Sequence, residues 1–555
     1  MQNDAVFDSA RPANNNGIGA LFLLICAAWI LPGLWSHDPW KPDEAYTFGL
    51  VHQLLQGGSW IIPTLAGEPY VDKPPLFILT AAAFAKLTSF LFAPHDGARL
   101  AAGFYMAVAL AFIAATGREL YGARRGRISA LLVLGCFGLV VRAHQLIADT
   151  ALFAGTALGC YGLALMLRRP TLGGAVFGTG VGVAFMAKGL IGPLILTFAA
   201  IVLIATCSAW RRRSSLGAMG LGALAATPWL VVWPLSLYLT SPDLFGEWLW
   251  GNVYRVVGSE WGLPRVQQLG YIAILPWYAW PALPLALWVL WGTQVSRFAR
   301  PQIQLPVVLF VSCLFLLSIP GEPRELHAMP MLIPLGLLAT TAVDNMRRGA
   351  SNAMYWFGIM GFTFFAAVAW FYWVALELGV PTRLSTHLHK LQPAYDSHVR
   401  PVALMIGLAY TTGWIVLVAK LKPSVERPVV IWAAGMTLIW GLLMSLFIDY
   451  ADASKSYRSM LATMTKALPS TFDCIGSRAL GESQRALLHY HAGILTHREE
   501  AAGGPKSCEL LLVQGQRAAP PEIPPGWHQV WEGTRPGEKE EYFWLYGYGP
   551  PPPVQ

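Results

Sequence analysis

Charge is what this sequence has least of. Only 13% of its 555 residues are charged and 55% are hydrophobic, with a mean hydropathy of +0.47. A soluble chain carries about a quarter charged residues, so an ordinary water-soluble enzyme is excluded. No cleavable leader is expected either. Residues 1–16 are polar, Asn-rich and poor in basic residues, and no small-residue cleavage site follows the first apolar run. That run, 17–35, is expected to remain as a first membrane span. No internal repeat is evident, which argues against a transporter built from inverted halves. Cysteine is scarce outside apolar runs. Cys26, Cys136, Cys160, Cys207 and Cys313 lie inside them, where the residue is usually an inert small hydrophobe. Only Cys474 and Cys508 share the polar C-terminal stretch. Such a pair in one small domain suggests a disulfide and an oxidising compartment, the alternative being two unrelated free thiols.

What the chain does have is a series of apolar runs from Leu21 to Ile448, each near the twenty residues that cross a bilayer. Trp residues flank many of them, among them Trp29, Trp35, Trp210, Trp250 and Trp277, as an interfacial belt requires. Short basic clusters alternate with the runs: Arg118 with Arg124, Arg125 and Arg127; Arg168 with Arg169; Arg211 to Arg213; Arg297 with Arg300; Arg347 with Arg348; and Lys420, Lys422 and Arg427. Basic loops mark the cytoplasmic side, which accounts for the net charge of +8 without a nucleic-acid partner. The charge rule then predicts about thirteen spans, at 17–35, 98–116, 128–141, 150–167, 172–187, 189–207, 216–239, 269–294, 304–319, 329–343, 352–375, 401–419 and 428–448. The run 76–93 follows Pro74-Pro75 and carries Lys86 in its middle. A mid-bilayer charge costs a few kcal/mol, and counting the run as a span would invert every later loop. It is expected to lie at the outer face. The expected architecture is therefore an all-α polytopic membrane domain over 17–448, with outer-face helices in a first loop of 36–97. A cytoplasmic tail, 1–16, precedes it. A small α/β domain outside the membrane at 449–548 and a Pro-rich tail at 549–555 follow.

Several charges break the rule. Lys41, Lys73, Arg142, Lys188, Arg255, Arg265 and Arg324 fall in the regions assigned outside, mostly near span ends, and ionisable groups at membrane depth are functional candidates. Each has a plainer explanation. Asp43 and Glu44 in Pro42-Asp43-Glu44 could merely start a helix, and Lys73 could snorkel at the interface. Arg142 and Asp149, seven residues apart, could share one helical face as a weak surface pair. Lys188-Gly189 could be an ordinary hairpin turn, and His327 in Arg324-Glu325-Leu326-His327 an interfacial ring. Together, however, carboxylates and cations gather on one side. A carboxylate can serve as general base, and Lys or Arg suits a phosphate. The combination points to group transfer from a phosphate-linked lipid donor. Paired carboxylates at Asp43-Glu44 could also hold a divalent ion, although no closed ligand set is present.

The order of motifs resembles a known family. Lys41-Pro42-Asp43-Glu44, the stretch Gly67-Glu68-Pro69-Tyr70-Val71-Asp72-Lys73-Pro74-Pro75-Leu76, Arg142 and Asp149 before a span, Lys188-Gly189 in a tight turn and a Pro-rich late span are similar to the C-superfamily of polytopic glycosyltransferases. The nearest branches are the bacterial aminoarabinose (undecaprenyl-phosphate-aminoarabinose:lipid A) transferases and their protein mannosyltransferase relatives. The resemblance covers roughly 17–450, and Gly67–Leu76 is its most specific piece. It implies sugar transfer from a polyprenyl (undecaprenyl) phosphate carrier, with inversion and no nucleotide cofactor, at the periplasmic face of a bacterial inner membrane. The acceptor would be lipid A or another envelope glycolipid. A protein hydroxyl, or a lipid-linked-sugar flippase in place of an enzyme, are the alternatives. It also implies that Asp43 and Asp149 are the catalytic acids, that Glu44, Tyr70, Lys73 and Arg142 serve the substrates, and that Lys188 and Arg255 grip the carrier phosphate. Arg324 and His327 stand near the places of a family Lys and Tyr. Two departures, Tyr46-Thr47 where Arg-Tyr is usual and the Arg324/His327 pair, bear on the sugar and acceptor more than on the reaction type.

Overall fold

The structure, a computed structural model, describes residues 15–257, 270–292, 298–319, 323–501, 508–522 and 525–549. Residues 1–14 of the expected N-terminal tail, Arg265, Arg297 and residues 550–555 lie outside the described residues.

All thirteen expected spans coincide with helical structure. Among the described residues, eight helices are long and apolar enough to cross a membrane: Pro94–Tyr121, Pro170–Lys188, Arg213–Thr240, Pro301–Ser318, Glu325–Asn345, Arg348–Leu378, Pro401–Lys420 and Arg427–Leu446. The expected span 269–294 is instead a pair of helices, Gly270–Tyr278 and Ala282–Gly292, bent by 104°. The expected span 128–141 is broken at Gly135-Cys136 into Ala123–Leu134 and Phe137–Arg142. Asn15–Ile30, Asp149–Leu165 and Ile191–Thr206 are helices of 16, 17 and 16 residues. Leu76–Leu87 has 12 residues, only about 18 Å of helix, and packs beside Pro94–Tyr121. A helix of that length does not cross 30 Å of hydrocarbon.

The basic clusters meet at one end of the bundle. Arg124 pairs with Glu426, Arg125 with Asp344, and Arg168 with Glu119 at 3.7 Å. At the other end, the first loop folds into the helix Asp43–Leu55, a hairpin of β1 (Thr64–Leu65) and β2 (Glu68–Pro69), and the helix Leu76–Leu87. Asp43 and Glu44 in the first turn suit the helix dipole. The hairpin turn puts both Ala66 (φ 48°) and Gly67 (φ 86°) in left-handed backbone, the type I′ geometry that favours glycine.

The C-terminal domain caps this end. Its five-stranded sheet runs in the order β4 (Thr496–Arg498), β3 (Ile475–Arg478), β5 (Leu510–Gln516), β7 (Glu541–Tyr548), β6 (Trp527–Gly533). β3 is parallel to β4 and β5, and the remaining pairs are antiparallel. Cys474 and Cys508 are joined in a disulfide next to β3 and β5, with Cα atoms 5.1 Å apart. The helix Glu482–Ala492 lies on the helix Asp43–Leu55, where Gly49 lets them touch: a Cβ there would stand 2.6 Å from the Ala486 Cβ. Ion pairs finish the seam, Lys41 with Glu541 at 2.9 Å and Asp38 with Arg458. Trp40 Nε1 donates to Asp452 at 2.8 Å.

Candidate active site

The site is built where two glycine-lined helices end. Asp149–Leu165 and Pro170–Lys188 run so close that a Cβ on Gly155 would come within 2.6 Å of the Ala184 nitrogen, and one on Gly180 within 2.3 Å of the Gly159 nitrogen. Small residues allow such backbone approach between helices. The approach brings the first residue of one helix, Asp149, against the last of the other, Lys188, and their side chains form a buried ion pair. Gly189 follows with φ +70°, and a Cβ there would collide with Asn252 Oδ1 at 2.0 Å. The tight turn therefore requires glycine.

The first loop supplies the opposite wall. Lys73 Nζ donates to the Tyr46 hydroxyl at 2.7 Å and lies 3.7 Å from Asp72. Asp72 also pairs with Arg255. One carboxylate thus stands between two cations and leaves a surplus positive charge. Burial pulls the Lys73 ammonium towards neutrality, but the nearby Tyr46, Asp72 and Asp149 oxygens reverse this and raise its pKa, so it stays charged. Tyr70 packs 6.0 Å from the Tyr46 ring and donates to Glu482 of the C-terminal domain at 3.2 Å. Tyr46, Tyr70, Lys73 and Ala148 line a small cavity. Asp43 is half-exposed at the helix start, within electrostatic reach of Tyr46 and Lys188. Among the described residues no side chain hydrogen-bonds its carboxylate. His327 faces Lys188, Asp149, Arg324 and Lys73.

Two of the residues that the resemblance assigns to the substrates point elsewhere. Glu44 is 1% exposed and holds Arg99 Nε at 3.1 Å while accepting from the Leu146 and Trp40 amides at 3.0 and 3.3 Å. Burial raises its pKa, but Arg99, His37 and the two amides outweigh this and keep it ionised. Its neighbour Asp43 therefore has no second free carboxylate beside it. Among the described residues no three His, Cys, Asp or Glu side chains converge as a metal site. Arg142 does not share a helical face with Asp149. Its helix ends at Arg142 and the next begins at Asp149, so the seven-residue spacing crosses a turn. Arg142 instead reaches Gln145 at 3.1 Å and Glu325 at 3.4 Å, tethering the short 3₁₀ helix Glu325–Ala328 that carries His327.

Sequence reasoning passed over Tyr46, Asp72, Arg99, Asn252 and Glu482 as parts of this arrangement. Asp72 sits inside the Tyr70–Lys73 motif and Tyr46 at a noted departure from the family pattern, so both carried a signal. The other three are brought in by packing alone.

Residues 72–233 match the family model described as dolichyl-phosphate-mannose-protein mannosyltransferase. The chain is 27% identical over 443 residues to the undecaprenyl phosphate-alpha-4-amino-4-deoxy-L-arabinose arabinosyl transferase of Pseudomonas savastanoi pv. phaseolicola, covering 77% of this chain and 76% of the relative. It is 23% identical over 466 residues to the protein of that name from Serratia proteamaculans, covering 81% and 77%. Its fold is similar to that of ArnT from Cupriavidus metallidurans, solved bound to undecaprenyl phosphate, with a TM-score of 0.69, 15% identity and coverage of 96% and 98%. By sequence and fold together, the chain is similar to ArnT-like polytopic glycosyltransferases of the C-superfamily.

Proposed function

We propose that the protein moves a sugar from a polyprenyl phosphate, undecaprenyl phosphate in a bacterium, to an envelope glycolipid of the lipid A type. In this reading the reaction takes place at the periplasmic face of the inner membrane. The observation that carries it is the convergence of Asp43, Lys73, Asp149 and Lys188 within electrostatic reach of one another, next to a cavity that Lys73 and Tyr46 line, at the end of the bundle opposite the basic clusters. The names of the relatives that share most of the chain's length support the choice of carrier, sugar class and acceptor.

The surplus positive charge of Lys73 and Arg255 around Asp72 suits the carrier phosphate, with Lys188 held ready by Asp149. Attack by an acceptor oxygen on the anomeric carbon forms the new C–O bond. The bond from that carbon to the carrier oxygen breaks with its electron pair, and the carrier leaves as a phosphate anion held by these cations. Asp43, with its carboxylate uncommitted, orients the acceptor oxygen and accepts its proton where one is carried. Asp43→Asn should lower transfer about 10²–10⁴-fold, the usual worth of a general base, with the protein still folded. Mass spectrometry of envelope lipids from cells carrying Asp43→Asn checks this. Loss of the sugar mass from the glycolipid fraction is expected. Unchanged modification would remove Asp43 from the mechanism, and loss from a protein fraction instead would redirect the acceptor assignment.

A further inference from the structure

A second cavity opens at the seam between the first loop and the C-terminal domain. It is a cleft of about 790 Å³ whose lining includes Tyr70, Asp72, Arg255, Glu482, Arg485 and Arg498. Tyr70 also lines the reaction cavity, so the two spaces share a wall.

Arg485 is the anomaly in this cleft. Its side chain is only 4% exposed, yet it sits in an otherwise polar opening. Nη1 lies 3.0 Å from Glu68 as an ion pair, but neither Nε nor Nη1 has an aligned hydrogen-bond acceptor. Glu68 is already engaged by Arg498, at 3.0 and 2.9 Å. A buried guanidinium with unmet N–H groups carries a desolvation cost of about 1–3 kcal/mol or more. The cleft also holds carboxylates, and they are spoken for or exposed. Asp72 pairs with Arg255, Glu68 with the two arginines, and Glu482 accepts from Tyr70. Glu482 and Glu247 both lie at the exposed rim. The deepest unsatisfied groups are therefore donors, and a planar N–H fork matches an oxyanion.

The geometry points to this cleft as the acceptor subsite, in which Arg485, assisted by Arg498, binds a phosphate or carboxylate on the acceptor glycolipid's headgroup. The C-terminal domain then selects the acceptor, and Tyr70, in the shared wall, lies between the held headgroup and the reaction cavity. This rests on the proposed function, because it presumes an anionic glycolipid acceptor.

The test uses full-length protein in lipid nanodiscs without donor. Binding is measured for lipid A, for the same lipid A stripped of its phosphates, and for lipid A extended with carboxylate sugars. Wild-type protein should favour one anionic form roughly 10- to 100-fold over the stripped form, the worth of one or two charge-assisted hydrogen bonds. Which form is favoured identifies phosphate or carboxylate as the group held. Arg485→Gln should erase most of that preference and leave donor binding unchanged. Arg485→Lys, which keeps the charge but not the fork, should retain part of it and shows that the domain still folds. Equal binding of all three lipids by wild type, or a preference undiminished in Arg485→Gln, overturns the inference. If lipid A still receives sugar in those cases, the proposed function stands without it. Transfer only to a Ser/Thr peptide would overturn both.

Discussion

The Glu44 carboxylate is enclosed, charged and bound on three sides, whereas the carboxylate next to it in the chain is half-exposed and accepts no side-chain hydrogen bond among the described residues. Two neighbouring acids therefore have different fates on substitution. Glu44→Gln takes one of two carboxylates from Arg99, itself 0% exposed, leaving Asp96 beside it at 2.9 Å, and breaking such a buried charge-assisted bond costs about 1–3 kcal/mol. The expected outcome is a fall in thermal midpoint for Glu44→Gln, read by tryptophan fluorescence, and an unchanged midpoint for inactive Asp43→Asn. A midpoint for Glu44→Gln equal to wild type would place that carboxylate in the site after all. The Pro-Asp-Glu motif was legible in the sequence. That Glu44 is tied into the fold was not, because that depends on Arg99, 55 residues further along the chain, arriving beneath the helix start.

At the scale of elements, the Asp149–Lys188 pair exists because two helices approach to backbone contact. Gly155 faces Ala184, Gly162 faces Phe177 and Gly180 faces Gly159, a pattern of small residues that the reading of charge and hydropathy did not register. Gly180→Val would force the helices apart where a Cβ has 2.3 Å of room. Overpacking of this kind costs about 1–3 kcal/mol. It should also weaken donor binding, because Lys188 would be drawn from Asp149, and a donor KM equal to wild type in a folded Gly180→Val protein would contradict this. The seven-residue separation of Arg142 from Asp149 shows the limit of such patterns. Periodicity applies only while a helix continues, and here one ends between them. The break at Gly135-Cys136 and the 104° bend after Tyr278 escaped the apolar pattern for the same reason. Hydropathy registers burial in lipid or protein, not the direction of the axis.

For the whole molecule, the seam between the first loop and the C-terminal domain is rich in buried titrating groups. Burial lowers His37 and His491 to about 4, against an ordinary value of 6.5. A histidine held neutral in the fold costs stability as pH falls below 6.5, with the loss growing until about pH 4. Asp452 acts in the opposite sense, since burial raises it to about 6 from 3.8. It is protonated earlier in the folded state, and acidification from 6 to 3.8 favours the fold. Asp38 is raised by burial but lowered more by Arg458 and Ser456, to about 2, so its support is lost only below about 4. His95, bonded to Tyr490 of the same seam, is lowered to about 3 as well, so the histidines outweigh Asp452 and leave a net loss between pH 6.5 and 4. Hydrogen exchange of the helix Glu482–Ala492 should quicken across that window. Slower exchange on acidification would contradict the balance.

The membrane character, the positions of the helices and the reaction class followed from the sequence by itself. Charge and hydropathy are one-dimensional properties, and the Tyr70–Lys73 motif is local. The tertiary structure alone decided which charges are partners. It turned Glu44 to Arg99 and Arg142 to Glu325, placed Asp72 between Lys73 and Arg255, and lowered a C-terminal domain with an unsatisfied Arg485 onto the site. Glu44 with Arg99, Arg142 with Glu325 and Asp72 with Arg255 join residues 55 to 183 positions apart, and an ion pair is set by distance in space, which no spacing along the chain encodes.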